Sequence, residues 1–74
     1  MVPLSMLSES RVAVIREIRA GRGLNRRLAE MGLVHGARIK LIKGGPPGPV
    51  IVELNGSRLA LGAGMAMKII VEPE

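Results

Sequence analysis

The sequence predicts a mainly β domain: a thin barrel of five strands with one short α-helix set between the first two. Three observations predict it. The run LNRRLAEMGLVHG, residues 24–36, is the one segment with helical spacing and a built-in stop. The residues after it mostly alternate apolar and polar around a single Asn55-Gly56 pair, which is a hairpin signal. Finally, 74 residues with 47% hydrophobic content but no Phe, Trp, Tyr or Cys must form their core from Leu, Ile, Val, Ala and Met. A chain this short, without disulfides, needs sheet closure or self-association to bury enough surface.

Residues 11–18 read as the first strand. Val12, Val14 and Ile18 fall on one side and Ala13, Ile15 and Glu17 on the other, an ambiguous alternation that implies partial burial of both faces. Residues 20–23 form a glycine-punctuated connection. The helix covers about residues 24–31, with Leu24, Leu28 and Met31 on its apolar side and Asn25, Arg26, Arg27 and Glu30 on the rest of the arc. Gly32 supplies a left-handed stop, and Leu33 is placed to fold back onto Leu28, as in a Schellman motif. Gly36 gives a second corner.

Residues 37–43 form the second strand, with Ile39 and Leu41 on one face and Arg38 and Lys40 on the other. Residues 44–49 form a proline-rich hairpin loop. The Asn55-Gly56 pair specifies a two-residue type I′ turn, which sets the register: Leu54 opposite Ser57, Glu53 opposite Arg58, Val52 opposite Leu59, Val50 opposite Leu61. Residues 62–65 make a short turn. The last strand, residues 66–72, points Met67, Ile69 and Val71 inward. One domain, residues 1–74, is expected, with no internal repeat.

Catalytic and metal chemistry find few parts. One His, no Cys and scattered Ser and Glu do not assemble a nucleophile, base and orienting carboxylate, so the chain does not read as an enzyme. His35 lies in a turn with no second ligand nearby in sequence, so one copy cannot build a closed tetrahedral site. Met65 and Met67 have soft thioethers, but the alternation of Met67 with Ile69 and Val71 reads as core. The Lys43-Gly-Gly-Pro-Pro-Gly-Pro segment resembles a phosphate cradle only superficially, because its prolines lack the N–H groups a cradle needs. Its Pro46-x-x-Pro49 spacing reads as a spacer.

The formal net charge is +5, from 11 Lys and Arg against 6 acidic residues, and it favours an acidic partner surface or nucleic acid. Arg11, Arg16, Arg19, Arg22, Arg26 and Arg27 concentrate the excess in the first strand and the helix. Nucleic acid is the weaker choice, since single-strand and RNA readers depend on aromatic stacking platforms. No apolar run is long enough to span a bilayer, and the N-terminal MVPLSML lacks the regions of a signal peptide; a cytoplasmic protein without membrane insertion is expected.

The spacing Arg27-Leu28-x-x-Met31-Gly32-Leu33-x-x-Gly36, then alternating strands, Gly48-Pro49 and the ending Leu61 to Ala66-x-x-Ile69-x-Val71, resembles the ferrous iron transport protein A (FeoA) family. The likeness runs from Leu4 and Leu7 to Val71. Ser10 stands where the family usually has glycine before the first strand, and His35 where it commonly has proline. The resemblance implies an SH3-like barrel with an inserted helix. It further implies a non-enzymatic accessory of iron uptake that binds the cytosolic GTPase part of the membrane ferrous iron transporter, FeoB, and regulates it. The same domain is similar to the C-terminal domain of iron- and manganese-dependent repressors of the diphtheria toxin repressor type.

On this reading the partner-binding residues are Leu24, Arg26, Arg27 and Glu30. No metal ligand or cofactor is assigned beyond weak divalent-metal association, and small size leaves homo-oligomer formation open. The alternatives are a basic β-barrel that binds nucleic acid and a metal-responsive module of repressor type.

Overall fold

A computed structural model describes residues 1–44 and 48–74. Six antiparallel strands, β1 (Val2–Pro3), β2 (Val12–Ile18), β3 (Arg38–Lys43), β4 (Val50–Leu54), β5 (Ser57–Leu61) and β6 (Ile69–Pro73), make one sheet in the spatial order β1-β6-β2-β3-β4-β5. Helix α1 (Arg22–Glu30) joins β2 to β3, a single turn α2 (Ala63–Ala66) precedes β6, and a 3₁₀ turn (Leu4–Met6) follows β1. The extents of 28 × 25 × 23 Å are nearly equal, as they are when a twisted sheet curls round one core. That core is aliphatic throughout. Leu4, Ala13, Ile15, Leu33, Ile39, Leu41, Val50, Val52, Ile69 and Val71 are all essentially inaccessible, and no polar or charged residue is buried among the described residues.

The ambiguous pattern of the first strand has a structural cause. Between Ile15 and Glu17 the pairing of β2 with β6 shifts register, leaving Arg16 as a bulged residue. Ala13 and Ile15 point inward before the bulge, and Ile18, expected on the opposite side from them, packs against the same core after it. Just upstream, Ser10 adopts φ +69°, while its N–H donates to the Leu41 carbonyl at 2.7 Å. A left-handed residue at this bend accounts for the glycine that the resemblance places there, and serine accepts the conformation at some cost.

The hairpin forms in the register that its turn chemistry requires, with Val50↔Leu61, Val52↔Leu59, Glu53↔Arg58 and Leu54↔Ser57 opposed. Asn55 and Gly56 have φ of +51° and +81°, the type I′ combination. Glu53 and Arg58 face each other on the outer side without closing to ion-pair distance.

Three expectations for the terminal strands are corrected. A sixth strand, β1, pairs Val2 with Val71 and Pro3 with Ile70; two residues carry no periodicity from which to read it. The last strand starts at Ile69, not 66, because residues 63–66 close a helical turn that buries Ala66 instead. Met67, expected in the core, therefore caps that turn and is 63% exposed. The proline-rich expectation at Pro46 and Pro47 lies outside the described residues.

Helix α1 begins two residues earlier than its apolar pattern and takes in Gly23, because docking of Leu24 and Leu28 on the core outweighs glycine's low helix propensity. Its end is the expected one. The Gly32 N–H donates to Ala29 O and the Leu33 N–H to Leu28 O, both at 2.9 Å, the two bonds of a Schellman motif around Gly32 at φ +90°. Leu33 is fully buried as a result. Met31, expected on the buried stripe, is instead 42% exposed, since it lies at the cap, past the last helical residue.

Glycines at the two ends of α1 should respond oppositely to alanine. A Cβ at Gly32 would sit 3.0 Å from Leu54 Cδ2 and require the left-handed backbone, so Gly32→Ala should destabilise by about 1–2 kcal/mol. A Cβ at Gly23 meets open space, so Gly23→Ala should stabilise by about 0.5–1 kcal/mol. Urea unfolding midpoints of the two variants measure the contrast.

Candidate functional site

Helix α1 lies outside the sheet and has two sides. Leu28 is buried and Leu24 half-buried, both packed into the core, while Arg22, Arg26, Arg27, Ala29 and Glu30 are exposed. At helical pitch, Arg22, Arg26 and Glu30 follow one line opposite Leu28, and Arg27 lies one turn before Met31. The structure thus brings Arg26, Arg27 and Glu30 onto one outer face and sets Leu24 beneath it. Arg22, one turn before Arg26, belongs to that face; its position in the glycine-rich connection obscured it in the sequence.

The backbone at the start of α1 gives this face no help. Gly21 at the N-cap makes no side-chain cap, the first turn carries no acid, and Arg22 sits at the positive end of the helix dipole. What fixes the start is Asn25, whose Nδ2 donates to the Ala20 carbonyl at 2.8 Å. At the other end, Val34 and His35 are exposed in the turn beyond Gly32, with Val34 43% accessible.

The remaining charges behave differently. Arg16 pairs with Glu72 at 2.8 Å, Arg19 with Glu17 at 3.1 Å, and Arg38 grips Glu74 through two bonds of 2.6 and 2.9 Å. Arg11 adds a bond from its guanidinium to the main-chain oxygen of Glu74 at 3.1 Å. Arg16 of β2 and Arg38 of β3 are therefore paired with acids in and just after β6. The hydrogen bond from Arg38, with its positive charge, holds the Glu74 carboxyl below the usual glutamate range, and Glu74 in turn raises Arg38.

Among the described residues no three His, Cys, Asp or Glu side chains converge, and no helix is long and apolar enough to cross a membrane. A curled antiparallel sheet around an aliphatic core, with an inserted helix that presents charge to solvent, defines a small β domain of the SH3-like class.

Comparison with known proteins narrows the class to one family. The FeoA domain family matches residues 2–73, and this chain belongs to it. A putative Fe(2+) transport protein A from Methanocaldococcus jannaschii is 42% identical over 72 residues, 97% of this chain and 87% of that protein. The crystal structure of an iron uptake regulatory protein (FeoA) superposes with a TM-score of 0.91 at 33% identity, covering 99% of this chain and 97% of that one. The Stenotrophomonas maltophilia FeoA, solved in complex with zinc and described as a procaryotic SH3 domain protein, gives 0.82 at 28% identity, covering 97% and 91%. The fold alone recurs in a manganese-dependent transcriptional repressor, at a TM-score of 0.84 and 19% identity, where it matches 97% of this chain but 41% of the repressor.

The pairing of Glu74 has a measurable pH signature. Because its folded carboxyl is held low, its contribution to stability is whole above the ordinary glutamate range and disappears as pH falls through its lowered midpoint. Arg38→Gln should move the Glu74 midpoint upward in a carbon-detected NMR titration of the side-chain carboxyl; an unmoved midpoint means that the pair does not form in solution.

Proposed function

We propose that this protein is a non-enzymatic accessory of ferrous iron uptake that acts in the cytoplasm. It binds the cytosolic GTPase part of the membrane ferrous iron transporter and tunes its activity through the outer face of α1. Membership of the FeoA family supports the role in ferrous iron transport. The observation that carries the docking assignment is that Arg26, Arg27 and Glu30 are exposed and in no ion pair among the described residues, on an element whose Leu24 and Leu28 are committed to the core. Leu24 contributes from below, as half-buried support for that face.

The basic composition favours this reading over nucleic acid once the ion pairs are taken into account. Arg16, Arg19 and Arg38 have carboxylate partners, and the surface offers no aromatic ring for stacking bases.

Capture of the transporter's cytosolic domain by the immobilised protein tests the assignment. Arg26→Glu with Arg27→Glu should abolish most of the capture while leaving the amide spectrum of the sheet intact; equal capture by wild type and double variant removes α1 as the docking face.

A further inference from the structure

We propose that β5 is a self-association edge: two copies of this chain join through it, antiparallel, about a two-fold axis at Leu59, so that one sheet runs through both. This contact is independent of the α1 docking reading and uses a different part of the molecule.

The two ends of the sheet are finished differently. At one end β1 is two residues long and contains Pro3, which has no N–H to offer a neighbour. At the other, β5 runs for five residues without proline and carries one charge, Arg58. Among the described residues β5 pairs with β4 alone, and no loop bonds to its main chain. The hairpin register turns Ser57, Leu59 and Leu61 toward β4, which leaves the N–H and C=O groups of Arg58 and Ala60 facing outward. Both residues are exposed. An open edge at one end and a blunted one at the other decides the kind of assembly. Pairing β5 with β1 would build open-ended fibres, whereas pairing β5 with β5 closes after two copies.

The edge is complementary to itself. With the axis at Leu59, Arg58 of each copy lies opposite Ala60 of the other, and each such pair exchanges both of its main-chain hydrogen bonds. No like charges face each other in this register; an axis at Arg58 would oppose the two guanidiniums directly. Beside Ala60, on the outer side, lies half-buried Ile51 of β4, so the Arg58 stem of the second copy rests on a small apolar shelf. The inner side gains as well. Val50, Val52, Leu54 and Leu61 of the hairpin are buried, while Leu59, at the edge, is only half-buried against the core. At the axis the two Leu59 residues form a non-hydrogen-bonded pair, the closer of the two antiparallel arrangements, and cover each other.

The charge of +5 on each copy works against this contact and gives it a sign that ion-pair interfaces lack: added salt should tighten it. One five-residue strand per copy is a small interface, with a dissociation constant expected on the order of 0.1–1 mM.

Sedimentation equilibrium of the whole protein at up to about 2 mM, in low and in high NaCl, is the test. A monomer–dimer equilibrium that moves toward dimer as NaCl rises is the expected result. Amide exchange at Arg58 and Ala60 should slow as the protein is concentrated, while Ser57, Leu59 and Leu61 are protected already in the monomer. An isotope-filtered NOE between the Leu59 Hα protons of labelled and unlabelled copies should mark the axis. Ala60→Pro removes an outward N–H without touching the ladder to β4 and should abolish the dimer. Ala60→Lys sets a cation opposite Arg58 in both pairs and should weaken the dimer roughly threefold or more in high salt, whereas Ala60→Glu should tighten it by a similar factor. The two charged variants keep the test valid if proline unfolds the hairpin.

A monomer at every concentration, a dimer that salt loosens, or an association constant unmoved by Ala60→Lys and Ala60→Glu overturns the proposal. So does exchange protection that grows on α1 in place of Arg58 and Ala60.

Discussion

The hydrogen bond from Leu33 N–H to Leu28 O, closed over a left-handed Gly32, is the constraint on which the arrangement of the molecule turns. It reverses the chain at the end of α1 so that Leu28 and Leu33 enter the core from successive segments. With Leu28 fixed inward, the opposite line of the helix is fixed outward, and that line carries Arg22, Arg26 and Glu30. The same reversal delivers the chain to a second left-handed corner at Gly36, whose N–H reaches Ile15 O at 2.7 Å and starts the pairing of β3 beside β2. Core, sheet and charged face thus share one local backbone event. Few side chains could support it: with no aromatic residue in the sequence, the burial that stabilises the reversal comes from Leu28, Leu33 and Leu54 packing as aliphatic neighbours.

Local chemistry was legible in the sequence and long-range chemistry was not. The hairpin register came from Asn55-Gly56 alone, because a two-residue I′ turn leaves no freedom in which residues oppose one another. The helix stop was equally local. The faces of the first strand stayed ambiguous because the bulge at Arg16 is imposed by pairing with β6, more than fifty positions away. Met67 was misplaced because its alternation with Ile69 and Val71 is real in sequence, yet the α2 turn breaks strand geometry just before it. The candidate site was half visible. Composition put the basic excess in the first strand and the helix, but which arginines are free depends on partners such as Glu72 and Glu74, which no spacing argument could assign.

The charge of this chain is divided between two roles. In the repressor neighbour an equivalent domain occupies less than half of the chain. Here the arginines of β2 and β3 are turned inward on the protein's own acids and fasten β6 across the middle of the sheet, while those of the helix are left facing out. A domain that holds its strands together with one set of arginines keeps the other set available. Changes of Arg22, Arg26 or Arg27 therefore alter the exposed face with little effect on the sheet, since no sheet residue pairs with them among the described contacts.

Strand β5 ends the sheet. In a hairpin of this register Ser57, Leu59 and Leu61 exchange their main-chain bonds with β4, so Arg58 and Ala60 direct N–H and C=O groups away from it, toward water. Such an edge invites the edge of another molecule, and its built-in protection is slight, since Arg58 is the single charge along it. The surplus of +5 then has a second consequence. Long-range repulsion between copies keeps these open edges apart in dilute salt, so colloidal stability rests on the unneutralised cations. A partner that neutralises them lowers this barrier, and recognition and solubility become opposite demands on one small set of side chains.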